Sequence, residues 1–165
     1  MSGISRNYVP SISNSPIHAV AVHVVPMARP ADKVLTKAAF EQLSEFRYQM
    51  RRFERFSERA VRSHGVTPLQ YLMLLHIKGY PGRDYAHVGE LAERLQAQPH
   101  GVVALVTRCE ARGFVQRRRS ERDGREVEVH LLKKGERLLI RLAELHRAEL
   151  KSIHGVFPVP LEDSR

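Results

Sequence analysis

Between positions 117 and 132 the sequence reads RRRSERDGREVEVHLL, gathering Arg117, Arg118, Arg119, Arg122 and Arg125 around the pair Asp123-Gly124. A guanidinium is permanently charged and offers its donors in a planar fork, so its chemistry is with phosphate and carboxylate oxygens. An Asp-Gly pair followed by strict apolar/polar alternation predicts a hairpin, because a tight primed turn needs the positive φ that glycine adopts without steric cost. Like charges held together at an exposed tip repel by roughly a few tenths of a kcal/mol per pair, a repulsion that phosphates would neutralise. Residues 116–132 also hold four carboxylates against the five arginines, so charge alone fits a solvated face equally well. Position favours the polyanion: the arginines cluster toward the tip, whereas Glu126 and Glu128 lie past it.

Other reactive residue types give weaker patterns. The single cysteine, Cys109, shares a helix face with Val102 and Leu105, and a thiol buried there without a cationic neighbour is inert. Of nine histidines, His146 stands three residues before Glu149, a spacing that could serve a metal, yet no third ligand is indicated. His146, like His76, His87 and His130, is expected to be an exposed or half-buried packing residue. No glycine-rich phosphate loop, CxxC, HExxH or GxSxG occurs, and the carboxylates are scattered in pairs with basic residues, so no enzyme is expected.

The chain has 165 residues, enough for one domain with a real core, and a formal charge of +9 that points to a polyanionic partner. One cysteine excludes an intrachain disulfide framework and fits a reducing cytosol. No apolar run approaches the about 18 residues of a membrane helix, so a cytoplasmic protein without membrane association is expected.

The elements that would position the arginines follow from periodicity. Residues 1–35 are rich in Ser and Pro and lack a helical period; they read as an N-terminal arm with room for one short strand or, equally, as a poorly ordered leader or a misassigned start. From Leu35 to His64, the residues Phe40, Leu43, Phe46, Met50, Phe53, Phe56 and Ala60 form one stripe along a long helix that Gly65 ends. Thr67, Pro68 and Gln70 announce the next helix as cap, first position and capping-box partner. The stretch YPGRDYA has turn chemistry. HVGELAERLQA resumes a short helix with Val88, Leu91 and Leu95 inward, and a tight link leads to a second one opened by Pro99. Val102, Leu105, Val106 and Cys109 share its inner face, and Gly113 ends it. The period then becomes two: Val127, Val129 and Leu131 face one way and Glu126, Glu128 and His130 the other. The hairpin joins FVQRRR to REVEVHL. A last helix from about Lys133 to His154 carries Leu138, Leu142, Leu145, Leu150 and Ile153 at heptad-like spacing, and residues 155–165 form a tail.

Helix, helix, short helix, tight turn, second short helix and basic-tipped hairpin is the layout of a winged helix-turn-helix: mainly α with a small β-hairpin wing, and long helices at both ends. Its second short helix can enter a major groove while the hairpin reaches phosphates or the minor groove. In VTPLQYLMLLHI, ELAERL, VVALVTRCEARGFVQRR, RDGR and VHLLKKGERLL, in this order over residues 36–154, the chain resembles the MarR (multiple antibiotic resistance regulator) winged-helix transcription factors. The resemblance implies a recognition helix from Gln98 to Arg112 and a wing in which Arg125 enters the minor groove while Asp123 holds the wing in shape. It implies DNA contacts from Gln98, Pro99, His100, Val103, Thr107, Arg108, Arg118, Arg119, Arg122, Asp123 and Arg125. It further implies that the long helices at both ends are dimerisation helices, a homodimer on a pseudo-palindromic double-stranded operator, repression as the expected outcome, and a small aromatic or other organic effector of unspecified identity, with no other cofactor. Phe46, Tyr48, Met50, Tyr71 and Leu75 stand at positions that could line an effector cavity, although such stripes are more often core.

The chain departs from the family pattern in three places. Gln98 replaces the usual Ser or Thr cap, and Gly101, Val103 and Ala104 stand where polar base-reading side chains are common, leaving His100, Thr107 and Arg108 as polar candidates. Leu132 replaces the threonine that caps the last helix. One final helix stands where the family dimer commonly uses two, a gap the arm is available to fill. An alternative reading is a winged helix that serves as a protein-interaction module without specific DNA binding.

Overall fold

The computed structural model describes residues 35–120 and 126–153. The chain opens on α1 (Lys37–Ser63), a 27-residue helix capped by Thr36, whose hydroxyl accepts from the Ala39 N–H at 3.2 Å. Gly65, at φ +73°, ends it: its N–H donates to the Arg62 carbonyl and that of Val66 to the Val61 carbonyl, the two bonds of a Schellman cap. In α2 (Pro68–Lys78) the capping box closes as the sequence predicts, with Thr67 Oγ1 accepting from the Gln70 N–H and Gln70 Oε1 from the Thr67 N–H.

The stretch YPGRDYA is more than a turn. Gly82 takes the turn conformation at φ +76°, but Tyr85–His87 then form a strand, β1, whose pairing partner lies more than forty residues on. The short helix α3 (Val88–Arg94) follows, with the Glu90 carboxylate accepting the His87 N–H at 2.8 Å. The link to α4 (Pro99–Ala111) is tight because Gln96 adopts φ +49°, an uncommon conformation for a residue with a Cβ, held by its own amide donating to the Glu93 carbonyl at 2.7 Å. As the sequence predicts, α4 buries Val102, Leu105, Val106 and Cys109, and Gly113 at φ +69° ends it.

Strands β2 (Val115–Arg119) and β3 (Val127–Leu131) form the hairpin, and the sheet order is β1-β3-β2, antiparallel throughout. Arg119 pairs with Val127, and the Ser120 N–H donates to the Glu126 carbonyl. A two-residue turn on Asp123-Gly124 would instead pair Arg119 with Glu128, so the register corrects the sequence reading by one residue; the connection itself lies outside the described residues. Residues directly opposite share a face. Val115, Arg117 and Arg119 therefore lie with Leu131, Val129 and Val127, and Gln116 and Arg118 lie with His130 and Glu128.

The last helix, α5 (Lys133–Ser152), begins at Leu132 without a side-chain cap. Leu142 and Ile153 are buried and Leu138 packs on the core, but Leu145 and Leu150 are exposed and Leu139 takes a buried place, so the inward face differs from the heptad-like reading. Gly135, inside the first turn, is explained by contact: a Cβ there would run into the Phe114 carbonyl, where the start of β2 crosses the helix. His146 is buried, not half-exposed. It stacks on Tyr71 at 4.5 Å, meets Phe53 and Phe56 edge-on, and joins Ser57 through Nε2 and the Leu142 carbonyl through Nδ1, so both ring nitrogens are occupied. The core gathers α2, α3, α4 and the inner sheet face, with Met73, Leu74, Ile77, Leu91, Val106 and Val129 at its centre. No helix among the described residues is long and apolar enough to cross a membrane.

Candidate nucleic-acid interface

Helix α4 presents one exposed face because its inner face is spent on the core. Gln98, Pro99, His100, Gly101, Val103, Ala104, Thr107 and Arg108 are all exposed, and Val103, 46% accessible, makes this face partly apolar. Gln98 has extended cap geometry and accepts the Val102 N–H at 3.2 Å, but its side chain makes no cap bond, as expected of a poor capping residue. Pro99 fills the first helical position, where a missing N–H costs nothing.

The far end of α4 is tied to the rest of the molecule by cations. Arg112 Nη1 donates to the Gly65 carbonyl at 2.8 Å and to Gln70 Oε1 at 3.3 Å, its guanidinium lies 4.6 Å from the Phe114 ring, and Lys134 Nζ donates to the Arg112 carbonyl at 2.9 Å. These contacts bind α4 to the α1–α2 corner and to the start of α5, so the exposed face is held on a fixed support. Burial pushes the Cys109 thiol up from its ordinary value, partly offset by Arg112 and Arg108, which keeps it protonated and unreactive inside this support.

The hairpin arginines are not equivalent. Arg118 and Arg119 are exposed, whereas Arg117 turns onto α4. Its backbone N–H donates to Glu110 Oε1 at 2.9 Å and its Nη1 pairs with Glu110 Oε2. Its Nη2 donates to the Val103 carbonyl at 3.0 Å and to Thr107 Oγ1 at 2.8 Å. The Thr107 hydroxyl in turn donates to the Val103 carbonyl at 3.0 Å. On the outer sheet face, Glu128 pairs with His130 at 2.8 Å, and the imidazole together with the Ser120 hydroxyl holds that carboxyl below the usual carboxylate range.

The structure therefore places the eight described residues of the sequence-derived set, Gln98, Pro99, His100, Val103, Thr107, Arg108, Arg118 and Arg119, on exposed surface of α4 and β2, and these two elements meet through Arg117. Arg122, Asp123 and Arg125 lie outside the described residues. Sequence reasoning counted Arg117 among the tip cations and passed over Glu110. The signal available was the seven-residue separation of a carboxylate in the last turn of the helix from an arginine at the third position of the following strand. Of the residues considered for an effector cavity, Tyr71 is in the core and Leu75 packs against it, while Tyr48 is exposed.

Residues 64–126 match the model of the MarR family. No curated protein matches the chain. Among solved structures the chain is similar to a MarR family protein from Bacillus stearothermophilus (24% identical, covering 76% of this chain and 86% of that one, TM-score 0.63). It is similar to AbsC, a MarR family transcriptional regulator from Streptomyces coelicolor (21% identical, 78% and 86% covered, TM-score 0.61). It is also similar to a mutant of MepR from Staphylococcus aureus bound to oligodeoxyribonucleotide (16% identical, 74% and 84% covered, TM-score 0.57). The order of elements and the two wing strands thus agree with the fold of these structures, and the segment from residue 64 to 126 is similar to the MarR family.

Proposed function

We propose that this chain is a sequence-specific double-stranded DNA-binding transcriptional regulator, a ligand-responsive repressor of the MarR type that acts in the cytoplasm as a homodimer. The observation that carries the reading is the exposed face of α4 lying beside the exposed Arg118 and Arg119 of the wing, in a fold similar to that of a MepR mutant solved bound to oligodeoxyribonucleotide. Arg118, Arg119, Arg122 and Arg125 would neutralise phosphates or enter a narrow minor groove, and Asp123 would shape the wing. Gln98, Pro99, His100, Val103 and Arg108 would meet base edges and thymine methyls, with Thr107 at their margin. Two such units related by a two-fold axis would read an inverted repeat with half-sites about 34 Å apart.

The long helices would form the dimer, with residues 1–35 completing it by crossing to the partner copy or covering the helix seam; deletion of residues 2–30 should then raise the dimer dissociation constant. A small aromatic effector bound between the dimer helices and the winged unit would change wing separation, and a coupling of about 1–3 kcal/mol would shift operator affinity roughly 5- to 150-fold.

The test is a titration of a duplex selected by the chain from a random-sequence pool, repeated across salt concentrations. Affinity should fall steeply with salt, Arg125→Ala should weaken binding at least about tenfold, and Arg118→Ala or Arg119→Ala should each lower the salt slope by about 0.9. The exposed Val103 beside Gly101 and Ala104 favours a second reading, a protein-interaction module; weak, sequence-blind duplex binding would select it.

A further inference from the structure

We propose that Arg117 is a positioning residue that locks the wing to the recognition helix, with Glu110, Thr107 and the Val103 carbonyl as its seat; the role rests on the DNA-binding reading above. The order β1-β3-β2 makes β2 an edge strand, and the Arg117 N–H, which has no strand partner on that side, is taken by Glu110 Oε1 at 2.9 Å. The pairing of Arg117 with the fully buried Val129 turns its side chain to the inner face, but one step further along β2 than Val115, so the guanidinium passes over α4 instead of entering the core. There it spans positions 103, 107 and 110, one line along the helix, through three donors in a single rigid plane. Thr107 completes the seat by donating to the same Val103 carbonyl that Arg117 reaches.

Such a seat does what a lone surface ion pair does not. A planar fork anchored at both ends of two helical turns fixes the angle between strand and helix, and the network couples its members. Arg118 and Arg119 follow in the chain, so the position of their guanidinium groups relative to the exposed face of α4 is set at Arg117. A duplex binds both surfaces at once only if their spacing matches the grooves, and a wing freed to tilt has to be ordered at the moment of binding. The Thr107 hydroxyl, with its proton on Val103 and a lone pair on Arg117, serves the seat more than a base edge.

Three variants, Arg117→Ala, Arg117→Lys and Glu110→Gln, separate positioning from direct contact with phosphate. Positioning predicts that Arg117→Ala weakens binding to the selected duplex about tenfold or more with the salt slope unchanged, and that lysine, a point charge without the fork, restores little of it. Loss of a phosphate contact would instead reduce the slope by about 0.9. Glu110→Gln gives opposite signs. Removing a negative charge beside DNA tightens binding if electrostatics alone acts, and weakens it if the carboxylate seats the wing.

Amide hydrogen exchange on the free protein supplies the reading that needs no DNA: the Arg117 N–H should exchange faster in Glu110→Gln while Met73 and Leu74 keep their protection. Tighter or unchanged duplex binding by Glu110→Gln, or a slope loss near 0.9 in Arg117→Ala, overturns the positioning role while leaving DNA binding intact. Absence of duplex binding by the wild-type chain overturns the functional reading and this role with it, and the exchange measurement then still tells whether the wing is seated.

Discussion

In the segment from Val66 to Leu131 the side chains of Met73, Leu74, Ile77, Leu91, Val106 and Val129 are fully buried, whereas Phe40, Leu43 and Tyr48 on α1 are 55%, 42% and 59% exposed. Helix α5 repeats the contrast within itself: Leu139 and Leu142 are buried, and Ile140, Leu145 and Leu150 are exposed. The winged segment closes its core using helices and strands that cross one another, so each inward face finds a partner within the chain. Among the described residues, the two long helices have apolar stripes longer than the surface the other elements offer them. A patch of that kind marks an interface, and for long helices the proposed homodimer supplies the missing face. Under that proposal the difference separates what this sequence stabilises alone from what it stabilises by association.

The largest effect should come from the closed side of the comparison. Leu74→Ala opens a cavity among fully buried neighbours and is expected to cost about 2–5 kcal/mol in chemical denaturation. Ile140→Ala, on the open side, should change monomer stability by about 0.5 kcal/mol or less. Comparable losses at the two positions would mean that the exposed face is already covered within one chain. The second effect should appear in association. Phe40→Asp with Leu43→Asp is expected to raise the dimer dissociation constant about 30-fold or more, measured by sedimentation, with the denaturation of the winged segment little changed. A dimer of unaltered strength would place the interface elsewhere.

Local chemistry made much of the winged segment legible in the sequence. Gly65 and Gly113 take the left-handed conformation their positions predict, Thr67 and Gln70 close the capping box, and the inner face of α4 is the one its spacing gives. Each is settled within a few residues along the chain. What escaped depends on partners far away. Strand β1 is three residues long and exists because β3 pairs with it. The hairpin register shifted by one against the Asp-Gly signal, which turned Arg117 onto α4 and left Arg118 outward. The buried set of α5 follows from its packing on α1 and α2, where His146 meets Phe53, Phe56, Ser57 and Tyr71, and not from a heptad, and Gly135 reads as a flaw in a helix until the Phe114 carbonyl is seen against it. For the interface the same division holds: the exposed face of α4 follows from its inner face, but the difference in role between adjacent arginines does not follow from their shared type.

A cap substitution should have a smaller effect than the core change. Thr67→Ala removes the hydroxyl that accepts the Gln70 N–H at 3.2 Å and leaves the Gln70 side chain to cap alone, an expected loss of about 1 kcal/mol. Since α2 lies at the centre of the winged core, the loss should appear in the denaturation midpoint and not in the dimer constant. A change in association alone would show that the α1–α2 corner serves the interface more than the core.

The smallest expected effect is a pH dependence, and it too divides the molecule. Burial by itself would raise the Glu90 carboxyl, but the His87 N–H, the Tyr80 hydroxyl and the Arg83 guanidinium outweigh it and hold the group below its ordinary value of 4.5. The unfolded chain therefore binds more protons than the native one just below that value. Glu90's contribution to stability is complete above about pH 4.5 and is lost as the pH falls through the depressed native value. Glu90→Gln should lower stability at neutral pH and flatten its decline in acid, read from urea midpoints between about pH 3 and pH 7. The ion pairs of α1 give the contrast: Lys37–Glu41, Arg51–Glu54 and Arg62–Glu58 are all more than half exposed, and pairs in that setting add little. Glu41→Gln should leave the acid limb where it is. If the two substitutions shift it equally, the acid response belongs to the charge of the whole surface, and the tie between α3 and the loop before β1 loses its special place.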